Sequence, residues 1–431
     1  MRDLLITGAK IADGEPADVL IRDGAIAEIG AIESADGIER LDADGLVLLP
    51  GFVDLHTHLR EPGREDAETI ASGSAAAAAG GFTAVLAMAN TTPVTDTAEA
   101  AELVYDRGRA IGLVDVFPVG AVTKGLAGEE LAELGLMARS RARVRLFSDD
   151  GTCVQDARVM RRALEYLKPF DGVISQHAQD VSLAGGSACC HEGEISGRLG
   201  LPGWPGAAES VIVARDVQLA RHTGSRVHVA HVSTAESVEI IRWAKAQGIA
   251  VTAEATPHHL ALGTKLVTGY DPVFKVNPPL RPSEDQEALR AALADGTIDA
   301  VATDHAPHAR HDKEHAFEAA AFGMLGLETA FAVVHDLMVR SGRMPLADLV
   351  ERMTVAPARI AGLAEHGQPI AVGGPGNLVL VDPERRVTVD AAASNSLSRN
   401  NPWHGMSFTG AVHATILRGR VTALDGKVHD Q

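Results

Sequence analysis
The sequence predicts an α/β fold, a (β/α)8 TIM-type barrel carrying a small β-sandwich domain built from both termini. Three observations predict it. Apolar, β-branched runs alternate with Ala/Leu/Glu-rich stretches through the middle of the chain. There are eight such runs. Both ends instead carry short apolar runs broken by Asp-Gly and Gly turns. Strand–helix alternation implies a parallel sheet with helical crossovers. Eight such units fit a barrel of about 250 residues. The expected limits are 1–50 and 366–431 for the sandwich and 51–365 for the barrel.

The N-terminal segment reads as hairpins: Leu4-Leu5-Ile6, then Val19-Leu20-Ile21, the turn Asp23-Gly24, and Ile26-Ala27-Glu28-Ile29. The first barrel run ends at His56. Later runs end at Asn90, near Val122, at Asp150, at His177, at His231, near Thr256 and at Asp304. Helical stretches follow at Glu129–Ala138, Arg158–Leu167, Ala207–His222, Ala235–Gln247 and Glu284–Leu293, and Ala75–Ala79 also reads as helix. Near the C-terminus, Asn377–Asp382 resembles a strand. Ala414–Gly419 followed by Asp425-Gly426 echoes Leu4–Gly8 and Asp13-Gly14, so the two ends are expected to pair in one sheet.

The chain has 431 residues, 46% hydrophobic and 22% charged, an ordinary globular composition with material for a sizeable core. Net charge is 39 − 57 = −18, which argues against nucleic acid or an anionic membrane as the main partner. An anionic substrate would then need a few well-placed arginines. Cys153, Cys189 and Cys190 form neither a disulfide framework nor a Cys-x-x-Cys motif, and read as reduced thiols of a cytoplasmic protein. Met1-Arg2-Asp3 runs straight into strand-like sequence without a signal-peptide pattern. The apolar window 71–89 contains Gly80-Gly81 and reads as a helix end followed by a strand, not a membrane span.

Gly51-Phe52-Val53-Asp54-Leu55-His56-Thr57-His58-Leu59-Arg60 carries the strongest chemical signal. In a strand, His56 and His58 point the same way, because side chains alternate faces. Barrel active sites sit at the C-terminal strand ends. His56, His58, Asp149 or Asp150, His177, His231 and Asp304 all fall there. Imidazole and carboxylate ligands suit zinc or a similar divalent ion. Four histidines and two carboxylates exceed one tetrahedral ion and suit a pair bridged by a carboxylate and a hydroxide. The pattern does not separate Asp149 from Asp150; either could instead cap the next helix. His228 reads as a hydrogen-bonded core residue, and His258-His259 as loop or as support around the site. Arg60, two residues past His58, either grips a substrate carboxylate from the same cavity or pairs with Glu61 or Asp66 at the surface. The charge-rich segment 308–322, with His311 and His315, is either a lid or an exposed loop.

Several motifs make the resemblance specific: Asp54-Leu55-His56-Thr57-His58-Leu59-Arg60-Glu61-Pro62-Gly63, Ala87-Met88-Ala89-Asn90-Thr91, Phe147-Ser148-Asp149-Asp150-Gly151, Glu254-Ala255-Thr256-Pro257-His258-His259, Val276-Asn277-Pro278-Pro279-Leu280-Arg281, Ala302-Thr303-Asp304-His305-Ala306-Pro307-His308 and Phe322–Thr329. With them the chain resembles the amidohydrolase superfamily and, within it, the bacterial class I dihydroorotases. The resemblance implies reversible cyclisation of N-carbamoyl-L-aspartate to (S)-dihydroorotate in de novo pyrimidine synthesis, by metal-bound hydroxide. It implies one or two Zn2+ per subunit. His56, His58 and Asp304 would hold the first, His177 and His231 the second, and Asp150 would bridge. Asp150 is preferred over Asp149 because the family's bridging aspartate precedes the fifth-strand histidine by 177 − 150 = 27 residues. Asp304 would be general acid/base. His58, Arg60, Asn90, Asn277, His308, Phe322 and Gly323 would bind substrate, with Arg60, Asn90 and His308 on its carboxylate and Asn277 on the ring's amide edge. A homodimer and association with aspartate transcarbamoylase are further implications. Two other readings stay open: a hydantoinase- or allantoinase-like cyclic amidohydrolase, and an inactive scaffold for aspartate transcarbamoylase. Many hydantoinases and allantoinases bridge their metals with a carboxylated lysine on the fourth strand, and this chain has no lysine between Lys124 and Lys168.

Overall fold
A computed structural model describes residues 3–11, 14–32 and 37–429. Met1, Arg2 and the Asp13 half of the expected Asp13-Gly14 turn lie outside the described residues. The N-terminal strands are β1 (Leu4–Ile11), β2 (Pro16–Arg22), β3 (Ala25–Gly30), β4 (Glu39–Asp42) and β5 (Val47–Pro50). The barrel strands are β6 (Phe52–Thr57), β7 (Phe82–Ala87), β8 (Asp115–Pro118), β9 (Leu146–Phe147), β10 (Val173–Gln176), β11 (Val227–Val229), β12 (Val251–Ala255) and β13 (Ala300–Val301). At the C-terminal end come β14 (Leu378–Thr388), β15 (Ser407–Leu417), β16 (Arg420–Leu424) and β17 (Lys427–Val428).

β6–β8 form one parallel sheet and β9–β13 another. Parallel bridges Gly120↔Phe147 and Thr57↔His305 join the two sheets at both edges and close the barrel. Intervening helices are capped by local chemistry. In the helix Ala98–Ile111, the Thr97 side chain accepts from the Ala100 N–H, and Gly112 ends it at φ 64°. The predicted helix Glu129–Ala138 shrinks to Leu134–Arg139. Its first half folds back instead: Lys124 N–H donates to Glu130 O and Ala132 N–H to Val122 O.

The ends of the chain meet as expected. β1–β5 and β14–β17 share one nine-stranded sheet, joined where β5 and β14 pair antiparallel from Pro50↔Leu378 to Val47↔Val381. Period-two alternation divides these two strands between two cores. Leu48, Leu378 and Leu380 pack with Leu4, Ile6, Ile21 and Ile416 inside the sandwich. Val47, Leu49, Val379 and Val381 face the barrel core. There Phe52 stacks on Phe331 at 5.4 Å and meets Phe82 edge-on at 5.8 Å. Among the described residues no helix is long and apolar enough to cross a membrane.

Several strands stop two or three residues short of the polar residues that end their sequence runs, whereas β6 runs through His56. β9 ends three residues before Asp150, β11 two before His231 and β13 three before Asp304. The reason is backbone geometry. His231 and Asp304 have φ of 30° and 46°, outside any ladder conformation. Strain of this kind concentrates at functional sites.

Asp115 on β8 fastens the barrel to the sandwich. It accepts from both Arg418 terminal nitrogens at 2.7 and 2.9 Å, and from His366 Nε2 at 2.9 Å. Burial opposes its ionisation, but these hydrogen bonds outweigh burial and hold it below the usual carboxylate range. Asp115→Asn should lower stability near pH 7 by about 2 kcal/mol, less than a fully buried pair because Arg418 is half-exposed. A depressed pKa stabilises above the unfolded value. The gap between wild type and variant should therefore begin to close below about pH 4 in urea titrations run across pH.

Candidate metal centre and substrate cavity
Asp150 stands at the centre of the C-terminal rim. Its Oδ1 lies 3.3 Å from His56 Nε2, 3.3 Å from His177 Nδ1 and 3.6 Å from His231 Nε2. Its Oδ2 lies 3.5 Å from His58 Nε2. Two potential metal-holding groups result, His56–His58–Asp150 and Asp150–His177–His231, all buried and sharing that carboxylate. Asp304 Oδ1 completes the first side, 3.1 Å from His58 Nε2 and 3.6 Å from His56 Nε2. Burial would raise the Asp304 pKa, but the His58 hydrogen bond and nearby imidazoles outweigh it and hold the carboxyl below its ordinary range. The His56 Nε2 is buried without a hydrogen-bond partner while facing both acids. Four imidazole nitrogens converging with two carboxylates fit a divalent cation chemically.

Asp149 points elsewhere. Its Oδ1 accepts from the N–H groups of Val122 and Thr123 at 2.8 and 3.0 Å, and its other oxygen accepts from the Thr123 hydroxyl. It ties the loop after β8 to the loop after β9.

A cavity of about 260 Å³ opens beside this cluster. His58, Arg60, Asn90, Asn277, His308, Phe322 and Gly323 line it, together with Asp150, His177 and Asp304. Arg60 adopts φ 58°, and its Nε donates to Pro307 O at 3.0 Å. The neighbouring acids are engaged elsewhere: Glu61 pairs with Arg107, and Asp66 lies 3.8 Å from His311. Burial and the Arg64 charge lower the Arg60 pKa to about 10, so it remains a cation at neutral pH. His308 Nε2 donates to Phe322 O at 2.6 Å, and burial plus the Arg60 charge push its pKa down to about 2, leaving a neutral ring. Asn90 bridges two members of the cluster, its Oδ1 3.0 Å from His58 Nδ1 and its Nδ2 3.1 Å from Asp150 Oδ2. The Gly323 N–H donates to Lys275 O, and its carbonyl accepts from Lys313 and Asn400. A Cβ there would sit 2.7 Å from the Ala306 Cβ, so only glycine lets this wall close. His311 and His315 are exposed, in the middle of the segment whose ends, His308 and Phe322, line the cavity.

Two supporting acids, Glu254 and Asp54, carried no role in the sequence, and His228 is the hydrogen-bonded core residue it was expected to be. Glu254, fully buried on β12, accepts from His56 Nδ1 at 3.0 Å, from His228 Nε2 at 3.0 Å and from the His231 N–H at 3.3 Å. Burial opposes its ionisation, but the two imidazole hydrogen bonds hold its pKa at about 2. His228, buried on β11, is hydrogen-bonded at both nitrogens, the other being 2.9 Å from Thr252 Oγ1. Asp54 accepts from the His56 and Thr303 N–H groups and the Thr303 hydroxyl, joining the strands that carry His56 and Asp304. Its own burial lifts its pKa to about 7. A carboxylate inside a short, mostly apolar run was the available signal for both acids.

A family model described as dihydro-orotase-like matches residues 45–237. The chain is 57% identical over 429 residues to a dihydroorotase of Streptomyces coelicolor, covering 99% of this chain and 100% of that one. It is 56% identical to a dihydroorotase of Mycobacterium tuberculosis, covering 99% of each. Among solved structures, an L-hydantoinase from Arthrobacter aurescens superposes with TM-score 0.87 at 28% identity, covering 100% of this chain and 98% of that one.

Glu254→Gln should weaken divalent-metal binding about 10- to 100-fold, because the two imidazoles bond different carboxylate oxygens and an amide replaces one of those oxygens with a donor. Competition against a chromophoric chelator checks this, with far-UV circular dichroism unchanged.

Proposed function
The chain belongs to the dihydroorotase family, and from that premise we propose how its residues carry the reaction. The enzyme interconverts N-carbamoyl-L-aspartate and (S)-dihydroorotate, a step of pyrimidine biosynthesis. Our reading assigns the metal groups as one or two Zn2+ per subunit, held by His56, His58 and Asp304 and by His177 and His231, with Asp150 between them. The observation that carries it is the single buried carboxylate shared by two histidine groups at the cavity edge. Bound there, a divalent ion would lower the pKa of water toward about 7 and polarise a carbonyl.

The remaining work falls to the protein. Arg60 grips the substrate carboxylate with paired hydrogen bonds. We assign His308, 3.3 Å from the Arg60 guanidinium, to the same carboxylate, its Nε2–H passing to it from Phe322 O. Asn90 holds His58 and Asp150 in register beside it. Asn277 receives the ring's amide edge. Phe322 and Gly323 close the wall. In hydrolysis, the water oxygen adds to the ring amide carbon and the C–N bond breaks. Asp304, ionised beforehand, takes the water proton and returns it to the departing nitrogen. Ring closure runs the same transfers backwards. The ends of the segment 308–322 line the cavity, and Lys275 and Lys313 hold its far side by donating to the carbonyls of Glu318, Ala320 and Ala321. We place the domain limits at 1–50, 51–365 and 366–431.

The rim at β9 offers Ser148-Asp149-Asp150 and no lysine, which separates this site from those bridged by a modified lysine. Turnover should accordingly favour dihydroorotate over neutral dihydrouracil; preference for dihydrouracil would overturn the carboxylate grip. Asp304→Asn should cut kcat by about 10²–10⁴-fold in either direction while the thermal midpoint stays near wild type. Near-normal turnover would refute the proton-transfer role.

A further inference from the structure
We infer that Gln179 is a positioning residue that couples the second metal group to recognition of a ring N–H, an inference resting on the reading of Asn277 given above. The argument runs through donor and acceptor identities. His177 presents Nδ1 to the shared group, 3.3 Å from Asp150 Oδ1 and 2.9 Å from His231 Nε2. An imidazole that offers its Nδ1 lone pair to a cation carries its proton on Nε2. That Nε2 lies 2.8 Å from Gln179 Oε1, so it donates there. Asn277 Nδ2 lies 3.1 Å from the same oxygen and supplies a second donor. One amide oxygen, with two lone pairs, therefore accepts from a metal-facing histidine and from a cavity residue at once.

The consequence falls on Asn277. With its NH2 held by Gln179, its Oδ1 is left buried and without a hydrogen-bond partner, on a residue that lines the cavity. The reversed amide would set two oxygens against each other and is disfavoured. Asn277 thus offers the cavity an acceptor, which selects a ring N–H over a carbonyl. Gln179 itself is held in place from outside the cluster, its backbone carbonyl accepting from Gln155 Nε2 at 2.7 Å. The loop after β10 therefore carries both His177, which faces the metal group, and the residue that sets the polarity of substrate recognition.

The test compares Gln179→Met, which keeps length but removes the acceptor, with Gln179→Glu, which keeps an acceptor for both donors. Two readouts are needed: divalent-metal affinity by chelator competition, and KM and kcat for dihydroorotate. Gln179→Met should weaken divalent-metal binding about 10- to 100-fold and raise KM about tenfold with a smaller change in kcat. Gln179→Glu should hold both within about threefold. Asn277→Ala should raise KM by itself, and adding Gln179→Met should raise it no further. If Asn277→Ala raises KM and Gln179→Met does not, the coupling is wrong and the reading of Asn277 stands. If Asn277→Ala leaves KM unchanged, the reading of Asn277 falls and the coupling with it. Loss of metal affinity with no change in KM would also overturn the coupling.

Discussion
Six ionisable side chains buried at one rim can coexist only if each has an assigned partner. An unpaired charge in such a place costs several kcal/mol, and an unpaired imidazole nitrogen costs a hydrogen bond. A layer of carboxylates and amides behind the histidines supplies most of these partners. Glu254 holds His56 and the backbone of His231. Asn90 holds His58, and Gln179 holds His177. For His56, His58 and His177 the nitrogen turned away from Asp150 is engaged, so the other nitrogen faces it; His231 is held instead through its backbone N–H, its Nδ1 having no partner. The orientation of the cluster is thereby built into the protein before any cation arrives.

The same constraint explains the strand ends. A ladder would point these side chains alternately into the barrel and away from it. Ending β9, β11 and β13 early releases Asp150, His231 and Asp304 into loop geometry, with left-handed backbone at the last two. Asp54 then ties β6 to Thr303, so the two ends of the barrel's closing seam cannot separate the His56 and Asp304 sides. The sandwich contributes at a distance: Val47, Leu49, Val379 and Val381 seal the barrel core. Asn400, from the segment before β15, reaches the rim and bonds the Ala306 and Gly323 carbonyls.

Substrate charge and protein charge oppose each other here. A chain of net charge −18 presents at its cavity a half-buried guanidinium, Arg60, with Glu61 paired to Arg107 and Asp66 turned toward His311. A hydantoinase superposes on nearly the whole chain. A shared fold does not by itself set the substrate, so discrimination falls to side chains at the cavity wall.

By itself the sequence determined the barrel, the pairing of the two chain ends and the polar residue attached to each strand terminus. Those are local matters: period-two apolar runs, helix-forming stretches and turn residues act within a few positions. His56 and His58 were legible because two residues along a strand always share a face. The residue pattern by itself left Asp149 and Asp150 open and only the family spacing favoured Asp150; the tertiary structure supplies the physical reason, since the backbone turns after Phe147 and two N–H groups from the preceding loop capture Asp149. It alone revealed Glu254, whose role depends on which strands stand beside β12. A carboxylate's partners across a closed sheet are fixed by strand order and register, and neither is written in the residues that flank it.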